Sequence, residues 1–249
     1  MSSTVLPVRL KYAISQFSDA ITGVNLKNIY AKVKVKKFGI QSNVLFFYKK
    51  NDGIWDAEPL ILEANYGDYD IYSTKNIPVT EEFAIKYTVD SLSYWDNNNG
   101  NNYHLLTNRV NNLIGGKVVL NKAIAKTDPE GGEIENKTNW LEGEIYICRK
   151  NSYSKRVGIK ISADNGNSWQ EVDATYEYPV SEGSYIDVAQ GELEVELWTF
   201  KTPAYNYNPD ATFFKLAVYY QNLETGEFYW DNNFQQDYKI SKIYGSSIE

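Results

Sequence analysis

A ten-residue stretch, YWDNNNGNNY from Tyr94 to Tyr103, returns near the C-terminus as YWDNNFQQDY from Tyr229 to Tyr238. Two copies of such a segment require two copies of the strands it joins, so the chain reads as one module written twice. A second pair of segments agrees. VRLKYAIS begins at Val8 and VVLNKAIA begins 110 residues later at Val118, each carrying the same Ala-Ile pair. A period this long exceeds that of solenoid units and marks duplication of a whole domain. Gly115-Gly116 sets the junction, which predicts modules over residues 1–114 and 117–249. Half of a 249-residue chain is enough to bury a core without disulfide staples.

Between these landmarks the hydrophobic pattern has period two. NIYAKVKVKKF, residues 28–38, sets Ile29, Ala31, Val33 and Val35 against Lys32, Lys34 and Lys36, which predicts a half-buried strand with a solvated lysine face. Its counterpart covers residues 140–150. Residues 5–15 read as a first strand whose start Pro7 places at a sheet edge. Residues 44–48 with 157–161, and 83–89 with 213–220, give further matched strands. Glu192, Glu194 and Glu196 alternate with Leu193, Val195 and Leu197 and read as another solvated strand face. Asp52-Gly53 and Asn165-Gly166 are hairpin signals, and each precedes a tryptophan, Trp55 or Trp169, expected at the module rim. No segment has helical periodicity. With about eight short strands per copy, the expected fold is all-β: two consecutive immunoglobulin-like antiparallel β-sandwiches.

Charge and composition remove several functions. A formal charge of −7, from 25 basic and 32 acidic residues, argues against nucleic acid and anionic membrane surfaces as partners. No apolar run is long enough to span a bilayer, so no membrane insertion is expected, and MSSTVLPVRLKY has no signal-peptide core. The single histidine, His104, and the single cysteine, Cys148 between apolar strand positions, read as structural. They cannot supply a zinc cluster or a Ser-His-Asp set to both copies, and no carboxylate pair stands out. A calcium loop fails on register, because Gly100 is the fifth residue from Asp96 where the helix-flanked loop needs the sixth. The chain is expected to have no cofactor and not to be an enzyme.

What remains is a surplus of rings, 21 tyrosines and 6 tryptophans, some of which stand beside runs of amides. The order of a strand, a loop tryptophan, an F-x-I-x-Y strand and then YWDNN…NY resembles carbohydrate-binding module family 21. These are the starch- and glycogen-binding modules of amylolytic enzymes and of glycogen-targeting subunits of type-1 protein phosphatase. The resemblance covers both halves; WDNNNGNNY is its most specific piece, and NSYSKRV (residues 151–157) and ELWTF (196–200) add to it in the second half. It implies an immunoglobulin-like sandwich that binds α-1,4-glucan. It implies one site at Trp55 and Trp95 with Asn97, Asn98 and Asn102, and its copy at Trp169 and Trp230 with Asn232, Asn233 and Asp237, the last replacing an asparagine. Ala84 and Ala217 stand where some members carry a third aromatic. It implies a second site in module 2 at Tyr153, with Lys155 nearby and Tyr176 or Tyr178 as partners. Module 1 reads KFGIQSN there and has only Tyr66 or Tyr69 as substitutes.

This residue set has its own physical logic. An α-glucan presents a curved face of C–H groups and a rim of hydroxyls, so two angled rings can cover the face while amides bind the rim. Rigid rings also lose little entropy on binding. The opposing reading makes the tryptophans core residues and the amides mere turn formers. Among other functions, a protein–protein scaffold or adhesin tandem predicts one large apolar patch in place of repeated ring-and-amide sites. A glycogen-targeting phosphatase subunit normally carries a basic-Val-x-Phe segment, which KVKVKKF misses because Phe38 falls three residues after Val35. The expected partner is an α-glucan polysaccharide or maltooligosaccharide, and a catalytic domain in a longer parent chain is compatible with it. The location is secreted or cell-surface for part of a starch-degrading protein and cytoplasmic otherwise.

Overall fold

In the strand Ser42–Lys49, Val44, Phe46 and Tyr48 are buried while the residues between them are not, as period-two patterning requires. The same alternation organises the rest of the chain in a computed structural model that describes residues 6–17, 27–38, 42–75, 77–78, 80–105, 112–128, 138–148, 152–179, 195–206 and 208–249. Side chains of residues 15–17, 27, 112, 178 and 179 are not among those described. The chain divides into two compact units, one holding residues 1–116 and the other Lys117–Tyr178 with Glu196–Glu249; the described Pro179 and Val195 group with the first.

In the first unit one sheet runs in the order Asn112–Ile114, Val8–Phe17, Lys27–Lys36, Tyr69–Ser73, Ile61–Asn65, with Ile77–Pro78 also beside Lys27–Lys36. The other runs Tyr103–His104, Glu82–Val89, Ser42–Lys49, Trp55–Pro59, with Leu92–Asp96 also on Glu82–Val89. Val33, Ala31 and Ile29 from the first sheet and Phe46, Phe83 and Ile85 from the second are at most 2% exposed and meet in one core. Each of the larger ones, the Val, Ile and Phe side chains, contributes about 1.5–3 kcal/mol by leaving water. This is an all-β sandwich.

The second unit repeats that plan strand for strand. Its sheets run Thr175–Pro179, Val195–Lys201, Thr138–Cys148, Val118–Thr127, Ser247–Ile248 and Gln170–Asp173, Lys155–Ser162, Phe213–Asn222, Phe228–Asp231, with Tyr205–Asn206 and Tyr238–Ser241 attached at the equivalent places. Even the irregularity is shared: the register of the first strand against the second shifts between Leu10 and Tyr12, and again between Leu120 and Lys122. Among the described residues the only helical turn is a 3-10 turn at Asn98–Gly100.

Two solvated faces expected from the sequence are in fact covered. Lys32 and Lys34 are buried at 8% and 3% exposure, because Tyr69–Ser73 and Ile61–Asn65 extend the sheet past their strand. The Lys32 ammonium pairs with Glu63 at 2.9 Å, and that of Lys34 sits 4.8 Å from the centre of the Tyr69 ring. Glu196 is likewise buried and paired with Lys155; Glu192 and Glu194 lie outside the described residues. His104 is exposed, its Nε2 3.0 Å from the Asn101 carbonyl.

Candidate functional site

None of the six tryptophans is buried, so they are not what fills either core. Trp55, Trp95 and Trp230 are 40%, 39% and 43% exposed, unusually open for so large an apolar side chain. Strand register explains where they stand. In the first unit Trp55 lies opposite Lys49, and Trp95 opposite Lys86. The row between them holds Phe47 opposite Ala84 on one side and Ala57 on the other, so both tryptophans share one face of one sheet. The Phe47 ring packs 4.9 Å from that of Trp95 at 58°, and the Lys86 ammonium lies over Trp95 at 5.4 Å.

The second unit builds the same face with different middle residues. Trp230 lies opposite Tyr219, and the next row puts Ala217 opposite Lys160. Trp169, Trp230, Asn232 and Asp237 come together with Lys160 and Ala217 around one open pocket of about 220 Å³. The missing third aromatic is thus a matter of floor height: Ala217 keeps the space between the two indoles clear. Trp230 itself is set by its neighbours. Tyr219 packs 5.5 Å from it, and the Phe228 ring lies nearly parallel to it at 14° and 6.1 Å. Tyr219 is in turn fixed by its hydroxyl, which donates to Asp173 at 3.0 Å, and by the Arg156 guanidinium over its ring. Burial first, then the Asp173 carboxylate, keeps that hydroxyl protonated.

The repeated loop explains its own amides in large part. Asn98, Asn99 and Asn102 have φ of 51°, 57° and 55°, and Asn233 and Asp237 repeat this at 50° and 57°. Asparagine and aspartate accept that left-handed backbone better than other non-glycine residues. The Asn97 and Asn232 side-chain oxygens accept from the backbone N–H three residues on, at Gly100 and Gln235. The Asn98 and Asn233 amides donate to the carbonyls of Asn102 and Asp237 at 3.0 and 3.1 Å. The Asn102 amide donates to Glu82 at 2.7 Å. Asn233, expected at a sugar hydroxyl, is 2% exposed and its Oδ1 is buried with no hydrogen-bond partner among the described residues, so it braces the loop from inside. Asn97, Asn98 and Asn102 remain at the surface beside Trp95, and Asn232 and Asp237 line the pocket.

Of the expected second site, Tyr153 is 91% exposed and Tyr176 46% exposed. Lys155 departs from expectation. Its ammonium lies 3.1 Å from both oxygens of Glu196 and its side chain is only 5% exposed, which makes it an internal brace. Glu196 also accepts from the Trp198 indole N–H at 3.0 Å, and the Trp198 ring meets Tyr176 edge-on at 5.6 Å. The Tyr178 side chain lies outside the described residues. In the first unit Tyr69 is 3% exposed and packs on Tyr66, so it offers no open ring.

The residues missed by sequence reasoning are Phe47, Lys160, Lys86 and Tyr219. Only pairing between distant strands brings them to these faces, and no local motif marks them.

The second unit thus carries an exposed and a half-buried indole, a clear floor and a braced amide loop around one open pocket. Residues 125–241 match the carbohydrate/starch-binding module, family 21. The matched stretch contains every residue of the 220 Å³ pocket as well as Tyr153, Lys155 and Tyr176. The family 21 match supports a polysaccharide-binding module of the starch and glycogen type, which is non-catalytic. No curated protein matches the chain.

Proposed function

We propose that the chain binds α-1,4-glucan through two family 21 modules, one in each unit, without transforming it. The observation that carries this reading is the pocket shared by Trp169, Trp230, Asn232 and Asp237, with Trp55 and Trp95 holding equivalent places on the first unit's sheet face. The indoles cover the C–H face of the sugar. Asn232, Asp237 and the Lys160 ammonium serve its hydroxyls, and in the first unit Asn97, Asn98 and Lys86 do so. Tyr153 and Tyr176 form a second contact in the second unit, with Lys155 acting through Glu196 and Trp198. The repeated strand plan supports two modules over residues 1–114 and 117–249, each of immunoglobulin-like shape, and two sites on one chain give avidity on long glucan.

Sedimentation with granular starch, with crystalline cellulose as control, tests the proposal. The chain is expected to be depleted from the supernatant by starch and to remain in the supernatant over cellulose. Depletion by both solids, or by neither, contradicts α-glucan recognition. A scaffold or adhesin is the less favoured reading, because the exposed Trp55, Trp95 and Trp230 stand beside amides in small repeated sites.

A further inference from the structure

Trp140 belongs to neither site described above. It lies opposite Lys126 in the ladder between Val118–Thr127 and Thr138–Cys148, and its indole N–H donates to Glu142 at 2.9 Å. Lys201 pairs with the same carboxylate at 3.2 Å and holds its ammonium 5.4 Å from the centre of the Trp140 ring. Two partners on its own sheet therefore fix the indole.

That indole borders a pocket of about 780 Å³ in the second unit, whose lining includes Ile243 and Tyr244. These two side chains are 71% and 67% exposed, yet their turn is tied down. The Gly245 N–H donates to the Ala125 carbonyl at 2.9 Å, and the Ala125 N–H donates to the Ser246 carbonyl at 2.8 Å. An anchored turn that holds large apolar groups in water presents them to something.

The walls say what kind of ligand. The volume is in the range of small-molecule sites, roughly 300–1,000 Å³, and well above the 220 Å³ between Trp169 and Trp230. Lys126 and Lys242 stand among the lining with Asp128 and Glu142, and Glu142 is also paired with Lys201, so the walls offer charges of both signs and no cluster of one sign. Two rings among balanced donors and acceptors suit a neutral, polyhydroxylated chain. The feature is particular to this unit, since Asn28 holds the ladder position that Trp140 holds here.

We propose that this pocket is a further α-glucan-binding site, separate from the Trp169–Trp230 platform; the inference rests on the glucan-binding reading of that platform. The full chain labelled with 5-fluorotryptophan resolves the question by ¹⁹F NMR, with maltoheptaose as probe and single Trp→Phe variants for assignment. The Trp140 signal is expected to shift saturably both in the unaltered chain and in the Trp169→Ala/Trp230→Ala variant, and to stop shifting in Tyr244→Ala. A Trp140 signal that stays put while those of Trp169 and Trp230 move overturns this inference and leaves the platform standing. So does a Trp140 shift that vanishes with Trp169 and Trp230, or one that survives Tyr244→Ala unchanged. If no tryptophan signal moves, both readings fall.

Discussion

The Tyr238 hydroxyl donates to the Asp231 carboxylate at 2.7 Å, and the same oxygen accepts the backbone N–H of Leu120 at 3.0 Å. In the first unit Tyr103 and Leu10 donate to the Asp96 carboxylate in the same way, one to each oxygen. Leu10 and Leu120 stand where their strands shift register, so the aspartate of each WDNN loop satisfies a backbone group of the opposite sheet. The aspartate and the closing tyrosine are thus what attach the loop to the fold. Tyr238→Phe removes one hydrogen bond to a buried carboxylate and should cost about 1.5–3 kcal/mol. Asp231→Ala should cost more, because it strands both donors. Urea unfolding followed by circular dichroism reads both, and an unchanged midpoint for Asp231→Ala would contradict the role.

Lys155→Met leaves Glu196 buried with its charge uncompensated by that ammonium. Loss of one partner from a buried pair costs about 3–5 kcal/mol, so the variant should unfold at markedly lower urea. Unchanged stability with weakened sugar binding would return Lys155 to the ligand.

Asp237 and Asn102 hold equivalent loop positions with opposite consequences for pH. Burial raises the Asp237 carboxyl above its ordinary value of 3.8, so its favourable contribution is full below that value and is lost as pH rises through the raised one. Asp237→Asn should therefore raise the melting temperature at pH 7, and the gain should shrink in acid. The Asn102 bond first, and then Lys49, hold the Glu82 carboxyl below its ordinary 4.5, so the anchor in the first unit is full above 4.5 and fades as pH falls through the lowered value. A melting temperature for Asp237→Asn that is lower at pH 7 than that of the unaltered chain would contradict this account of the loop.

The strands were legible because period two declares itself within each segment, as in Val44, Phe46 and Tyr48. What covers a face was not. Lys32, Lys34 and Glu196 look solvated in sequence, and their burial depends on strands that arrive from tens of residues away. The rings beside the repeated loop were legible because a hairpin signal and a loop motif mark them. Phe47 and Lys160 were not, since only cross-strand register carries them between Trp55 and Trp95 or next to Trp169 and Trp230. The amides read in sequence as ligand groups or as turn formers, and several of them brace the loop: the Asn98 and Asn233 amides close onto the carbonyls four residues on from a left-handed backbone.

Two sites on one chain should matter only to ligands that reach both. Trp55→Ala/Trp95→Ala and Trp169→Ala/Trp230→Ala, each made in the full chain, should leave maltotriose affinity at the untouched site unchanged. Each should weaken binding to granular starch or amylose by roughly 10²–10⁴-fold. Retention of full starch affinity by one variant, measured by depletion isotherms, would show that the unit it alters contributes nothing to the polysaccharide.

Calorimetric titration of maltoheptaose into the Trp169→Ala/Trp230→Ala variant, with the Trp55→Ala/Trp95→Ala changes also present, tests the central claim most directly. The account predicts that the heat attributable to both platforms disappears while the circular dichroism spectrum and unfolding midpoint stay those of the unaltered chain, since Trp55, Trp95 and Trp230 are exposed and Trp169 borders an open pocket. Undiminished binding, or loss of binding only together with loss of fold, would contradict it.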